Sequence, residues 1–295
     1  MFAFITETAF ARVTHAFVVC LSLFPATGYA VTFAAALDEA EWKLVSTPLE
    51  CRIIQSVPFF GTAEFRQVNG EPSQFVLTSS HALNEGVAEV RVEAPQWRPE
   101  RDPEILGAVP VFASQEPVML DSLLSERALN ALHGGDGVVL SGLPGQVQGA
   151  TIDVGVVSVN FQQVYQDYRR CLLDLIPVSF KDIERTRISF EPNKWGLDDE
   201  MTTDRLDTII RYVKADAFVH HIFIDGFTDD QGRKSVNLEL SKRRAERVTR
   251  YLTARGVPEK KVTTRHHGER LPIAKGTDDA SRALNRRVTV RIERK

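Results

Sequence analysis

The stretch DGFTDDQGRKSVNLELSKRRAERV, Asp225 to Val248, decides the fold of the C-terminal half of the chain. It begins at the end of the apolar strand HHIFID, passes through a turn rich in Asp and Gly, and enters a segment with helical spacing. Outward from this stretch, strand and helix patterns alternate over residues 179–295 in the order β-α-β-α-β-β. That order predicts an α+β domain in which helices pack on one mixed sheet.

Residues 31–178 follow a different pattern, in which short β-prone runs alternate with turn residues. The run Val87 to Glu93 alternates apolar and charged residues, as a half-buried strand does. Two helical segments interrupt the strands, one between Asp121 and Gly134 and one that carries Cys171. We therefore predict an antiparallel β-rich N-terminal domain, which lies close to the C-terminal domain because no long linker separates them.

The first thirty residues have the pattern of a secretory signal. Arg12 precedes an apolar run, Ala16 to Phe24, and small residues follow at Gly28 and Ala30. The apolar run is shorter than the roughly 20 residues that a membrane span needs. We predict a signal peptide over residues 1–30 and export of the rest, and the alternative is a retained anchor.

The cysteine count agrees with export to an oxidising compartment. Cys20 lies within the predicted signal, which leaves Cys51 and Cys171 in the mature chain. We predict that these two form a disulfide, and the alternative is a pair of buried free thiols. The formal net charge of −3 provides no overall basic excess, so we expect no nucleic-acid partner.

The opening stretch also contains a candidate binding site. Asn237, Ser241 and Arg244 share one face of the predicted helix, beside the turn that holds Thr228 and Asp229. A carboxylate and a guanidinium held close together complement a zwitterion such as the free end of an amino acid. The alternative is structural, with Asp229 capping a turn and Arg244 in a surface ion pair.

The motifs GFTDDQG and LSKRRA, followed by ASRALNRRVTV, resemble the OmpA-like peptidoglycan-binding domain. The resemblance covers nearly all of the chain from Ile188 onward. It implies a set of peptidoglycan-binding residues that grips the free amino-acid end of meso-diaminopimelate in the stem peptide. This set is Asp229, Arg244, Thr228, Asn237, Arg286 and Arg287. The sequence departs from the family at Phe227, where His or Tyr is common.

The segments EWKLVSTPLEC and VPFFG in the first half resemble the amino-terminal domain of the MotY family of flagellar motor proteins. This second resemblance implies a periplasmic protein, at the flagellar basal body and the cell wall, that binds the basal body and a MotX-like protein. Such a protein helps to place the stator complex, directly or through other motor parts. The resemblance therefore implies a structural component that anchors or positions stator units on peptidoglycan.

Two other classes of function stay open from the sequence. One is an exported cell-wall enzyme, although no HExxH, GxSxG or catalytic Cys–His pattern occurs. The other is a general envelope tether unrelated to motility. The pairs His220–His221 and His266–His267 each place neighbouring rings on opposite faces of a strand, which does not suit metal binding. We predict no catalytic residue, no metal site and no cofactor.

Overall fold

The structure is a computed structural model that describes residues 30–95, 98, 101–147 and 149–295. The predicted signal, apart from its last residue, lies outside these ranges. Among the residues described, no helix combines the length and the apolar character needed to cross a bilayer.

The N-terminal half consists of two five-stranded sheets and two helices. Its strands are β1 (Ala30–Ala34), β2 (Trp42–Ser46), β3 (Glu50–Val57), β4 (Gly61–Val68), β5 (Gln74–Ser79), β6 (Gly86–Glu93), β7 (Glu104–Val111), β8 (Val118–Leu120), β9 (Gly137–Pro144) and β10 (Thr151–Val156). Its helices are α1 (Ser122–His133) and α2 (Phe161–Asp174). One sheet has the order β1-β10-β9-β6-β7, and the other has the order β2-β3-β4-β5-β8. The β-rich prediction is confirmed, and all pairs are antiparallel except β1 with β10, which is parallel.

The helix α1 begins and ends where the sequence predicts. The side chain of Asp121 accepts a hydrogen bond from the backbone N–H of Leu124, and Gly134 follows the last residue. The apolar side chains that alternate along β6, Ala88, Val90 and Val92, are buried between the sheets. Periodicity and capping residues were therefore sufficient to place these elements.

A disulfide joins Cys51 in β3 to Cys171 in α2, as predicted. Their Cα atoms are 6.0 Å apart, within the usual range for a disulfide. Both residues belong to the same hydrophobic cluster, which also contains Trp42, Phe65 and Phe75. The bond therefore ties α2 to the sheet that it covers.

The C-terminal half has the predicted alternation, with two additional short helices. Its elements are α3 (Phe180–Ile183), β11 (Arg185–Ser189), α4 (Glu200–Ala215), β12 (Val219–Gly226), α5 (Lys234–Ala254), β13 (Val262–His266), α6 (Asp279–Asn285) and β14 (Arg287–Arg294). The sheet has the order β11-β14-β12-β13, and only β12 with β13 is parallel. The apolar residues of α4 and α5 pack on one face of this mixed sheet. The predicted fold class is confirmed.

The two halves touch through the β4–β5 turn. Gly70 in this turn packs directly against the backbone of Ser179, and the guanidinium of Arg211 in α4 donates to the carbonyl of Asp174 in α2 at 3.2 Å. Ile176 and Leu49 both pack in the hydrophobic cluster of the C-terminal half. The halves are therefore close neighbours, and we propose the domain boundary at residues 178 and 179.

Gly70 in this turn should not tolerate a side chain. Its φ of +73° favours glycine, and a Cβ at this position would overlap the backbone nitrogen of Ser179. We expect Gly70→Ala to lower the free energy of unfolding by more than the roughly 1–2 kcal/mol of the left-handed conformation alone. Urea titration followed by circular dichroism would measure the loss.

The matched control for this change is Gly142→Ala. Gly142 has a similar φ of +77°, but a Cβ there would meet no atom within 4 Å. Gly142→Ala should lower the free energy of unfolding only by the cost of holding an alanine in the left-handed conformation. Equal losses from the two substitutions would mean that the contact with Ser179 contributes nothing.

Candidate functional site

The candidate binding residues come from the end of β12, the loop after it and one face of α5. Asn237, Ser241 and Arg244 are buried along that face, as their spacing predicts. A Cβ on Gly226 would overlap the carbonyl oxygen of Ser241, so glycine permits the close approach of β12 and α5. This approach brings the loop with Thr228 and Asp229 against the helix.

The structure brings five of the six predicted residues together in one group, which we call the polar cluster: Thr228, Asp229, Asn237, Arg244 and Arg286. Asp229 forms its ion pair with Arg286, whose Nη1 lies 3.1 Å from Oδ2 of the carboxylate. The other carboxylate oxygen, Oδ1, accepts a long hydrogen bond of 3.4 Å from the backbone N–H of Gln231. Asp229 therefore caps its turn and also pairs with a cation, and that cation is Arg286.

Arg244 is fully buried, which excludes the surface ion pair considered above. Its guanidinium donates to three backbone carbonyls, those of Lys194 at 2.8 Å, Phe227 at 3.1 Å and Glu191 at 3.0 Å. Burial lowers the pKa of Arg244 to about 10, with Asp229 opposing the shift and Arg286 adding to it. The side chain stays charged at neutral pH and fastens two loops to α5.

Two further groups complete the polar cluster. Asn237 donates its amide N–H to Glu269 at 2.9 Å and, more weakly, to the carbonyl of Asp229 at 3.4 Å. Thr228 is only 3% exposed, and its hydroxyl has no hydrogen-bond partner among the residues that the structure describes. A buried hydroxyl without a partner costs free energy, which makes it a candidate contact for a bound molecule.

Arg287 lies elsewhere, on the opposite face of the sheet. Its guanidinium carbon is 3.8 Å from the centre of the Phe227 ring, and its Nη2 donates to the carbonyl of Leu271 at 3.1 Å. Because side chains alternate along a strand, Val288 points to the helices and Arg287 points away from them. The structure thus does not bring Arg287 to the polar cluster.

The sequence predicts Ser241 on the polar face of α5, but it does not predict the groups that Ser241, Asn237 and Arg244 contact. The hydroxyl of Ser241 accepts from the backbone N–H of Gly268, which holds the Gly268–Glu269 turn against α5. Glu269 belongs to the segment HHGE, in which no candidate binding residue is predicted from the sequence. The carbonyls of Glu191 and Lys194 carry no signal in a sequence, because any residue provides a carbonyl.

The cluster contains a carboxylate, two guanidiniums, an amide and a hydroxyl, which suit the recognition of a small zwitterion. Within the described part of the chain, no group of three or more His, Cys, Asp or Glu side chains could hold a metal ion. One histidine of each pair contacts a side chain of the sheet: His267 lies 2.9 Å from Asp225, and His221 lies 2.8 Å from Thr263.

Removing the Arg244 side chain should destabilise the C-terminal half. Arg244→Ala removes a fully buried side chain and leaves three backbone carbonyls, of which that of Phe227 is buried, without their donor. We therefore expect a loss on the order of 3 kcal/mol in the free energy of unfolding. Arg243→Ala on the same helix is the control, because Arg243 is exposed and makes only surface contacts within the described chain, an ion pair with Glu239 and a position 5.3 Å from the centre of the Trp195 ring. Chemical denaturation should show a change below about 0.5 kcal/mol for that control. A neutral effect of Arg244→Ala would contradict the bonding described.

The fold and the polar cluster define a two-domain protein whose β-rich N-terminal half precedes an α+β half with a buried charged site. Residues 33–177 match the MotY N-terminal domain, and residues 189–286 match the OmpA family. The chain therefore joins a segment that matches the MotY N-terminal domain to a segment that matches the OmpA family. Both resemblances seen in the sequence are confirmed.

The chain is similar to several individual proteins over one or both halves. The sodium-type flagellar protein MotY of Vibrio parahaemolyticus is 29% identical over 287 residues, which cover 94% of this chain and 96% of that protein. The peptidoglycan-associated lipoprotein of Pseudomonas putida is 37% identical over 86 residues, which cover 29% of this chain and 51% of the lipoprotein. The crystal structure of the peptidoglycan-associated lipoprotein from Burkholderia pseudomallei has 31% identity and a TM-score of 0.34, over 36% of this chain and 89% of that chain.

Proposed function

We propose that this protein is a structural component of the flagellar motor, that its C-terminal half binds peptidoglycan, and that it does not act as an enzyme. The similarity to MotY extends over both halves, and the similarity to peptidoglycan-associated lipoproteins falls on the C-terminal half. The ligand is the free amino-acid end of meso-diaminopimelate. The observation that carries this assignment is the buried hydroxyl of Thr228, which has no partner in the described part of the chain and lies beside the Asp229–Arg286 ion pair.

The polar cluster offers a separate partner to each charged end of the ligand. The ammonium group binds the Oδ1 atom of Asp229, whose only protein hydrogen bond among the described residues is the long one from Gln231. The carboxylate of the ligand accepts hydrogen bonds from the hydroxyl of Thr228 and from Arg286. The N–H groups of Arg286 that take part are those that do not already donate to Asp229 or to the carbonyl of Phe190. Both contacts are charge-assisted, which strengthens them in a buried site.

Arg244 and Asn237 act mainly by positioning these groups. Arg244 uses three of its five N–H donors on backbone carbonyls, so at most two remain for a ligand. Its charge still attracts a carboxylate at short range. Asn237 bridges Glu269 and the Asp229 backbone, which holds the binding loop to α5.

Competition with soluble stem peptides tests the ligand. The protein would be sedimented with insoluble peptidoglycan in the presence of L-Ala-γ-D-Glu-meso-diaminopimelate or of the same tripeptide ending in L-Lys. The two competitors differ by the one carboxylate at the free end of the side chain. We expect the diaminopimelate peptide to release the protein and the lysine peptide to leave it bound. Equal release by both, or by neither, would contradict the proposed contact.

We infer that the N-terminal half attaches to the flagellar basal body and a MotX-like protein in the periplasm, and so helps to anchor or position stator units. The match of residues 33–177 to the MotY N-terminal domain supports this role. Isolated basal bodies should contain the protein, and deletion of its gene should impair swimming. Normal swimming and motor assembly after deletion would leave a general envelope tether instead. A lytic band on zymography of purified wall would favour an enzyme.

A further inference from the structure

The C-terminal sheet has a second face, turned away from α4 and α5, which we call the open face. Residues of β11, β12, β13 and β14 that alternate with the buried apolar ones project from it. Its arginines are Arg185, Arg187, Arg265, Arg287 and Arg291. These side chains line part of a cleft with a volume of about 1020 Å³, which also includes Asp204, Arg205 and Thr208 of α4. The lining of the whole cleft contains six arginines against three aspartates. The open face is therefore a basic groove in a chain whose net charge is −3.

Aromatic rings hold three of these guanidiniums in place. Those of Arg265 and Arg291 lie 4.6 Å and 4.3 Å from the centre of the Phe223 ring, and that of Arg287 lies 3.8 Å from Phe227. Stacking on a ring fixes a planar guanidinium, and only those of its N–H groups that are not already bonded within the protein stay available for a ligand. The groove thus presents donors in fixed positions.

The acidic residues of the open face are already occupied. Asp225 accepts two hydrogen bonds from Arg265, at 2.7 Å and 2.8 Å, and Glu293 pairs with Arg291 at 2.6 Å. Burial alone would raise the pKa of Asp225, but the hydrogen bonds from Arg265 and His267 outweigh burial and lower it. These carboxylates neutralise Arg265 and Arg291. The rest of the cleft lining has four arginines against two aspartates, Asp182 and Asp204, and so stays positive.

Three arginines of the groove lack such a partner. Within the part of the chain that the structure describes, no carboxylate lies within 4.0 Å of the guanidinium of Arg185, Arg187 or Arg287. Arg185 stands directly opposite Arg291 in the strand pairing, and like charges in that position repel. Burial and the charge of Arg187 lower the pKa of Arg287. An added carboxylate would relieve this repulsion.

The geometry favours an extended polypeptide as the source of those carboxylates. Arg185 and Arg187 are two residues apart on β11, so their side chains leave the strand roughly 7 Å apart. Alternate side chains of an extended acidic chain have the same spacing. The groove is also recessed, with Arg287 only 5% exposed, and a recess admits a single chain better than it meets a flat membrane. We propose that the open face binds an extended acidic segment of a partner protein.

Fluorescence anisotropy with two labelled peptides tests this binding. The probe is a twelve-residue peptide of alternating Glu and Thr, and its matched control replaces every Glu with Gln. At low ionic strength we expect the Glu peptide to bind at least about tenfold more tightly, with affinity that falls as salt rises. Equal affinity for the two peptides would overturn the proposal.

Charge reversal locates the site. The double variant Arg185→Glu/Arg187→Glu should weaken binding of the Glu peptide at least about tenfold, because the groove loses its unpaired cations. Arg243→Glu/Arg250→Glu, on the exposed flank of α5, makes the same change in net charge and should alter affinity less than about twofold. If both variants weaken binding equally, the attraction is not specific to the groove and the proposal fails.

Two further measurements complete the test. Arg185→Gln/Arg187→Gln is the milder variant if the reversed one fails to fold, and it should also weaken binding of the Glu peptide. Both groove variants should still sediment with peptidoglycan, because the polar cluster lies away from the open face. The wild type would also be tested with vesicles that carry anionic lipid headgroups. If it binds these vesicles through Arg185 and Arg187 and does not discriminate between the Glu and Gln peptides, the groove binds a membrane and the proposal is overturned.

Discussion

Asp229→Asn should abolish co-sedimentation of the protein with insoluble peptidoglycan. The amide has nearly the shape of the carboxylate, but it cannot neutralise an ammonium group. It also leaves Arg286, whose side chain is only 13% exposed, without its counter-ion. Removing one partner of a buried, hydrogen-bonded charge pair in a binding site costs about 2–5 kcal/mol of binding free energy. We therefore expect affinity to fall by a factor of about 30 or more.

The control for this change is the neighbouring residue. Asp230 is exposed and pairs with Arg282 at 3.0 Å, outside the polar cluster. Asp230→Asn should sediment like the wild type, and circular dichroism would verify that both variants are folded. A folded Asp229→Asn protein that sediments normally would remove Asp229 from the binding site and, with it, the proposed mechanism of wall attachment.

Loss of the disulfide should have the largest effect on stability. Cys51 and Cys171 are 120 residues apart in sequence, so the bond closes a long loop in the unfolded chain. Constraining such a loop contributes about 4–5 kcal/mol. We expect Cys51→Ala/Cys171→Ala to lower the free energy of unfolding of the N-terminal half by about this amount, as measured by guanidinium titration.

A reducing agent provides the internal control for this second prediction. Reductant should destabilise the wild type about as much as the double substitution does, and it should leave the double variant unchanged. The bond lies within the hydrophobic cluster of the N-terminal half, so sedimentation with peptidoglycan should persist. If wild type and double variant unfold at the same denaturant concentration, the bond makes no contribution to stability.

Local sequence patterns were enough to place most elements. The alternating run Val87 to Glu93 forms all of β6 except its first residue, and Asp121 and Gly134 flank α1. Helical spacing likewise placed Asn237, Ser241 and Arg244 on one buried face of α5. Each of these features depends on residues a few positions apart, which the periodicity of a helix or strand records directly.

By itself, the sequence determined the two-domain division into β-rich and α+β halves, the cysteine pair and most of the residues of the polar cluster. Only the tertiary structure decided which charges meet. In the structure Asp229 pairs with Arg286, 57 residues away, and Arg244 donates its hydrogen bonds to backbone carbonyls. Arg287 lies on the open face, away from both. The order of strands in the sheet sets such contacts, because it brings distant segments together and turns neighbouring residues of a strand to opposite faces.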